Sequence, residues 1–129
     1  MATTLLLFDR LPGDELAHSL DRLSHLPAGK RLLCRRCANP ITSMAAQIPV
    51  SGSHQHRFSN PAGQSFHIGC FSKAPGCALQ GRACSEHSWF PGYRWTVALC
   101  ARCGNHLGWR FAADDRFFGL ILDQLRPAG

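Results

Sequence analysis

Two Cys-x-x-Cys pairs constrain this chain more than any other feature. Four of the seven cysteines form them: Cys34 with Cys37, and Cys100 with Cys103. Two such turns brought together present four thiolates at the corners of a tetrahedron, which is the geometry of a structural zinc site. An odd number of cysteines leaves one without a disulfide partner, and two matched pairs disfavour a redox Cys-x-x-Cys. The pattern therefore predicts a structural Zn²⁺ on these four residues, with no open position for a catalytic water.

The rest of the sequence suits one small domain. Its 129 residues are 45% hydrophobic and 17% charged, which is enough apolar material for a core. Short apolar and aromatic segments separated by Gly/Pro/Asn turns predict an antiparallel β domain over 31–129. The candidate strands are 31–34, 41–50, 54–59, 65–71, 94–100 and 106–113.

A helix is predicted at each end of this domain. Residues 1–30 form a lead-in, in which Leu16, Leu20 and Leu23 recur at helical spacing and predict a short amphipathic helix packed on the outside. The apolar residues of 115–125 fall on one helical face behind two aspartates and predict a C-terminal helix.

Charge and hydropathy limit the classes of partner and the cellular compartment that we expect for this protein. The net charge is +6, but the basic residues are scattered, so we expect no nucleic-acid partner. No apolar run approaches the length of a membrane span, so we expect no membrane partner. The first residues lack the basic start of a signal peptide, and we expect a cytoplasmic protein. The three remaining cysteines, Cys70, Cys77 and Cys84, are predicted to be small buried hydrophobes without a nucleophilic role.

The three tryptophans, Trp89, Trp95 and Trp109, fall within 21 residues. Trp95 and Trp109 flank the second cysteine pair at similar distances, so a hairpin would bring them to the same height. They could be part of a tryptophan-rich core or the walls of a cage. A cage could hold a quaternary ammonium by cation–π attraction, with Glu86 as the nearby carboxylate. It could equally hold a flat uncharged ring whose polar edge meets free backbone groups of 87–89.

Several short sequence motifs together resemble the CULT domain, the thalidomide-binding domain of the cereblon family, and above all its stand-alone bacterial members. The resemblance covers about residues 31–126. The motifs are Leu33-Cys34-Arg-Arg-Cys37, Asn60-Pro61-Ala-Gly, Glu86-His-Ser-Trp-Phe-Pro-Gly-Tyr-Arg-Trp95, Cys100-Ala-Arg-Cys103, His106-Leu-Gly-Trp109-Arg-Phe111 and Phe117-Phe118-Gly-Leu.

The resemblance implies a mainly β fold, a β-tent of two antiparallel sheets pinned by the four-cysteine zinc site, with short flanking helices. It also implies a tri-tryptophan cage for cyclic imides such as glutarimide and thalidomide-like drugs, for uracil-type rings, or for a cyclic imide at a peptide C-terminus. The ligand-binding residues carried over are Asn60, Pro61, Phe66, His87, Ser88, Trp89, Trp95, Trp109 and Phe111. We expect no ubiquitin-ligase adaptor as a partner, since neither a Lon-like domain nor a region for such an adaptor is recognised in these 129 residues.

The predicted function is therefore a non-enzymatic small-molecule binding module, and three rival functions remain open. Methionine-R-sulfoxide reductases share a similar zinc-pinned fold and a phrase like His106-Leu107-Gly108, but they need a downstream nucleophilic cysteine. Cys103 is the last cysteine of this chain. A methyl-lysine reader would use the tryptophans as a cation cage, and an RNA-binding zinc module would need a basic stripe.

Overall fold

The computed structural model describes residues 29–129, and within them the chain is almost entirely β. The helix expected in residues 1–30 lies outside these described residues. Two 3-10 turns occur at Met44–Ala46 and Leu122–Gln124. The strands are β1 (Arg31–Cys34), β2 (Pro40–Ser43), β3 (Gln55–Ser59), β4 (Ser65–Phe71), β5 (Cys77–Cys84), β6 (Arg94–Cys100), β7 (His106–Ala112), β8 (Arg116–Ile121) and β9 (Leu125–Pro127).

The strands form two antiparallel sheets, which confirms the predicted fold class. The smaller sheet has the order β2-β1-β9, and the larger has the order β3-β4-β8-β7-β6-β5. One core cluster joins the two sheets, because Leu32 and Ile41 of the smaller sheet pack with Leu107 and Leu120 of the larger. This core lies beside the four paired cysteines.

A second, aromatic core lies on the other face of the larger sheet. Phe90 packs edge-on against Phe111 and Phe117, with ring centroids 4.8 and 5.1 Å apart. The register of β6 and β7 determines which side chains lie on this face: Trp95 lies opposite Phe111, and Val97 lies opposite Trp109. Side chains of paired residues share a face, so the hairpin collects aromatic rings on one side of the sheet.

The predicted C-terminal helix over 115–125 is wrong. This segment forms β8, a 3-10 turn and β9. β8 lies between β4 and β7, so it buries Phe117 on the aromatic face and Leu120 on the opposite face. A strand covered on both faces has a near-continuous apolar run, and that run imitates one face of a helix.

The other strand predictions differ in two places. The strand expected over 41–50 ends at Ser43, where a 3-10 turn begins. Strand β5 was not predicted, because it is an edge strand with six consecutive exposed residues and therefore lacks apolar alternation. The strands expected at 31–34, 54–59, 65–71, 94–100 and 106–113 are confirmed to within one residue. Residues 29–129 include no helix long and apolar enough to cross a bilayer.

Candidate functional site

The four paired cysteines meet where the two sheets converge. The Sγ atoms of Cys34 and Cys103 are 3.8 Å apart, and those of Cys37 and Cys100 are 3.6 Å apart. All four sulfur atoms lie within 4.8 Å of one another. Tetrahedral zinc with Zn–S bonds of about 2.3 Å requires S···S edges of about 3.8 Å. The cluster therefore has the size and the donor set of a site that can hold a metal ion.

Two matching turns position these sulfurs. In the first, the amide of Ala38 donates to the carbonyl of Cys34 at 2.8 Å. In the second, the amide of Gly104 donates to the carbonyl of Cys100 at 2.9 Å. Ala38 and Gly104 both have left-handed backbone, with φ of 67° and 80°. The repeated geometry turns the chain back tightly enough for both cysteines of each pair to face the same point.

Further hydrogen bonds reach the sulfur of Cys100. The side-chain amide of Asn39 and the backbone amide of Arg102 donate to it, at 3.6 and 3.4 Å. Such donors favour the thiolate form that a metal requires and fix its orientation.

A cavity of about 450 Å³ opens on the aromatic face of the larger sheet. Eight of the nine predicted ligand-binding residues line it: Asn60, Pro61, Phe66, His87, Trp89, Trp95, Trp109 and Phe111. Ser88, the ninth, is not among the lining residues, and its hydroxyl donates to the carbonyl of Phe90 at 3.1 Å.

The aromatic walls are in mutual contact. The ring of Trp109 meets Trp89 at 4.8 Å, Phe66 at 5.1 Å and His106 at 4.9 Å between centroids, each nearly edge-on. The indole N–H of Trp89 donates to the carbonyl of Ser59 at 3.1 Å. These contacts fix the planes of the rings around an open space.

Trp95 is anchored from the loop before β6. Its indole N–H donates to the carbonyl of Glu86 at 2.8 Å. His87, the next residue, has a φ of 57°, which is uncommon for a residue with a side chain. Within residues 29–129, the N–H and C=O of His87 and the N–H of Trp89 have no hydrogen-bond partner. The loop thus presents free donors and an acceptor on residues that line the cavity.

The cavity wall carries no acidic group among the described residues, since its lining contains neither Asp nor Glu. Glu86 contributes its backbone carbonyl to Trp95, but its side chain is not part of the wall. Burial lowers the pKa of His106, although a hydrogen bond from its ring to the carbonyl of Gly108 at 3.0 Å acts in the opposite direction. The neutral imidazole of His106 is therefore favoured, and seven of the eleven lining residues are apolar or aromatic.

Comparison with known proteins shows which sequences this chain is similar to. No family model matches the chain. It is 37% identical to protein cereblon of Gallus gallus and 35% identical to protein cereblon of Danio rerio, each over 109 residues. Protein cereblon of Drosophila grimshawi is 31% identical over 103 residues. These alignments cover 74%, 74% and 72% of this chain.

The chain carries a cereblon-like CULT domain. It spans less than a quarter of the length of the cereblon proteins named, with shares of 23%, 24% and 15%. The cysteine cluster and the aromatic cavity of this CULT domain lie toward opposite ends of one hairpin. Cys100 ends β6, and Trp95 lies five residues earlier on the same strand, a distance of about 17 Å along an extended chain.

Three lining residues of the CULT domain cavity were not predicted from the sequence: Gln64, Val97 and His106. Val97 could have been found from strand alternation, because it lies two residues after Trp95 and shares its face. His106 begins the phrase that contains Trp109, and in the structure it packs against that ring. Gln64 had no signal in the sequence, since its place in the wall depends on how the β3–β4 loop closes.

Proposed function

We propose that this CULT domain is a non-catalytic binding module whose three tryptophans hold a small cyclic imide, with a structural Zn²⁺ on the four cysteines. One observation carries the proposal: Trp89, Trp95 and Trp109 line one cavity whose wall includes a loop with unpaired backbone hydrogen-bonding groups. An imide edge presents an acceptor, a donor and an acceptor in a row. The free N–H groups of His87 and Trp89 and the free C=O of His87 are its complement.

The ring of the ligand would lie among indole faces. Its methylene groups are apolar and flat, and burial of such groups against aromatic walls is favourable without any charge. A glutarimide ring has about eight heavy atoms, and well-fitted small ligands gain up to about 1 kcal/mol per atom. The upper limit is about −8 kcal/mol, which corresponds to micromolar affinity.

Uracil-type rings and a cyclic imide at a peptide C-terminus carry the same imide edge, so both belong to the proposed ligand class. The substituent of a larger ligand would extend out of the cavity past Asn60 and Pro61. The loop there is closed on itself, because the amide of Gln64 donates to the side-chain oxygen of Asn60 at 2.9 Å. Asn60 and Pro61 would then contact the substituent rather than the ring.

Two rival functions receive less support. A methyl-lysine reader benefits from a carboxylate beside its aromatic cage, and no acidic side chain lines this cavity among the described residues. A reductase of methionine sulfoxide needs a nucleophilic thiol near its substrate, and the same lining contains no cysteine.

Calorimetry with two matched ligands tests the proposal. Glutarimide should bind with micromolar affinity, whereas N-methylglutarimide has lost the donor that would meet the carbonyl of His87 and should bind at least tenfold more weakly. Equal affinity for the two ligands, or no binding of glutarimide, would contradict the proposed imide recognition.

A further inference from the structure

A fifth cysteine lies directly beside the metal cluster. Cys77 begins β5 and is the cross-strand partner of Cys100, which ends β6. The amide of Ala101 donates to the carbonyl of Gly76 at 2.9 Å, on the outer side of this pair. That bond joins the residues flanking the pair, which identifies Cys77 and Cys100 as a non-hydrogen-bonded pair of the antiparallel ladder.

This register brings the two side chains unusually close. Residues in a non-hydrogen-bonded pair have Cα atoms about 4.5 Å apart and side chains on one face. Disulfides form at Cα separations of about 4.4–6.8 Å. The usual Cα separation of such a pair therefore falls within the range of a disulfide bond, at its short end.

The two residues differ in exposure and in role. Cys100 is buried and belongs to the four-sulfur cluster, whereas Cys77 is half-buried and is not one of the four ligands. Cys77 begins β5, an edge strand of the larger sheet, and its side chain packs against the core cluster that contains Cys34 and Cys100. A half-buried free thiol thus lies across the ladder from a metal-ligating cysteine.

We propose that Cys77 and Cys100 form a reversible, peroxide-driven disulfide that removes one sulfur from the metal site. This modification goes beyond ligand binding, and it rests only on a metal being bound by the four cysteines. It does not depend on which ring the cavity holds.

Hydrogen peroxide is the oxidant that balances this reaction. The sulfur of Cys100 attacks one peroxide oxygen, the O–O bond breaks, and Cys100 becomes a sulfenic acid that no longer ligates the metal. The thiol of Cys77 then attacks this sulfur, so the S–S bond forms while the S–O bond breaks. In sum, the two cysteines lose two electrons, the peroxide gains them, and with the required protons both of its oxygens leave as water.

The other two free cysteines have no such partner. Cys70 lies opposite Gly119 in the β4–β8 ladder, and Cys84 lies opposite Trp95 at the far end of β5. Burial raises the pKa of both the Cys70 and the Cys77 thiol, so acidity does not separate them; Cys77 differs because a cysteine lies opposite it in the ladder. Cys84 is therefore the matched control for Cys77, because it is also half-buried and belongs to the same strand.

Treatment of the purified metal-bound chain with hydrogen peroxide tests the proposal. Metal release is followed with a chromogenic chelator, and disulfides are mapped by mass spectrometry of peptides from the unreduced protein. The wild type and Cys84→Ser should release metal, yield a Cys77–Cys100 linked peptide, and rebind metal after reduction. Cys77→Ser should give no such peptide, and metal release from it should not be reversed by a thiol reductant once the sulfenic acid is oxidised further.

Three results would overturn the proposal. They are a linked peptide within either Cys-x-x-Cys pair in place of Cys77–Cys100, equal reversibility in Cys77→Ser and the wild type, and full metal retention in the oxidised wild type. Failure of imide binding would leave these readouts unchanged, so the two proposals fail separately.

Discussion

The indole of Trp109 stands nearly perpendicular to that of Trp89, at an interplanar angle of 75° with ring centroids 4.8 Å apart. Edge-to-face contact is a favoured arrangement for two aromatic rings, and it leaves a concave angle between them instead of a closed stack. Trp89 and Trp95 are held further by their indole N–H bonds to Ser59 and Glu86. The cavity walls are therefore formed before a ligand arrives, which lowers the entropic cost of binding.

Substitution of Trp109 should remove most of the affinity for glutarimide. A buried aromatic wall contributes about 1.5–3 kcal/mol through apolar burial, so Trp109→Ala should raise the Kd by at least about tenfold. Calorimetry measures the Kd, and circular dichroism checks the fold. Phe118→Ala is the matched control, because Phe118 lies opposite Arg110 on the other face of the same sheet. An unchanged Kd in Trp109→Ala would show that this indole is not part of the ligand site.

Removal of the metal should unfold the domain. The four cysteines join the β1–β2 turn to the β6–β7 hairpin, and metal-binding free energy in such a site is folding free energy. Strong chelation, or Cys34→Ser, should abolish the near-ultraviolet circular dichroism of the tryptophans. Native dichroism in a sample shown to be free of metal would contradict this prediction.

Gly108→Ala should destabilise the fold strongly. A Cβ at this position would overlap the carbonyl oxygen of Gly119 on the neighbouring strand, and the φ of +150° already disfavours a side chain. We expect a loss of about 3 kcal/mol or more in the free energy of unfolding, measured by urea denaturation. Gly52→Ala is the control, because Gly52 also has a positive φ but faces open space, and it should cost about 1–2 kcal/mol. Equal losses of unfolding free energy in the two variants would mean that the close approach of Gly108 to Gly119 does not contribute to stability.

Stability should depend on pH through His106. Burial holds the pKa of His106 below its ordinary value of 6.5, so the unfolded chain binds a proton at a pH where the folded chain does not. Its contribution to stability is complete above about pH 6.5 and is lost as the pH falls below that value.

Urea denaturation across pH 5–8 measures this effect. His106→Gln should flatten the stability curve below pH 6.5 relative to the wild type. The comparison between variants is needed because acid also protonates the metal ligands. Identical slopes in the wild type and His106→Gln would contradict the assignment.

The sequence was most informative where spacing alone fixes chemistry. The Cys-x-x-Cys spacing predicted the four-sulfur cluster, because a tight turn leaves two cysteines little freedom of position. The tryptophans around the second pair predicted one aromatic site, because a hairpin brings residues at similar distances from its turn close together, here on neighbouring cross-strand pairs. Ser88 does not line the cavity, and the sequence could not show this, since the direction of a side chain in an irregular loop depends on contacts such as its bond to Phe90.

The missed elements have a common physical cause. β8 lies inside a sheet and β5 lies at its edge, so one is apolar on both faces and the other is exposed along most of its length. Neither shows the alternation by which a half-buried strand is identified. The proximity of Cys77 to Cys100 could not be predicted either, because it depends on the pairing of the unpredicted strand β5.

The most direct test of the imide cage is a titration followed by intrinsic tryptophan fluorescence. Glutarimide, uridine and a trimethyl-lysine peptide are added in parallel to the wild type and to Trp95→Ala. We expect a saturable change with glutarimide that is lost in Trp95→Ala, and saturation by uridine as well would extend the ligand class to uracil-type rings. Saturation by the methylated peptide alone would contradict it and make the three tryptophans a cage for a quaternary ammonium.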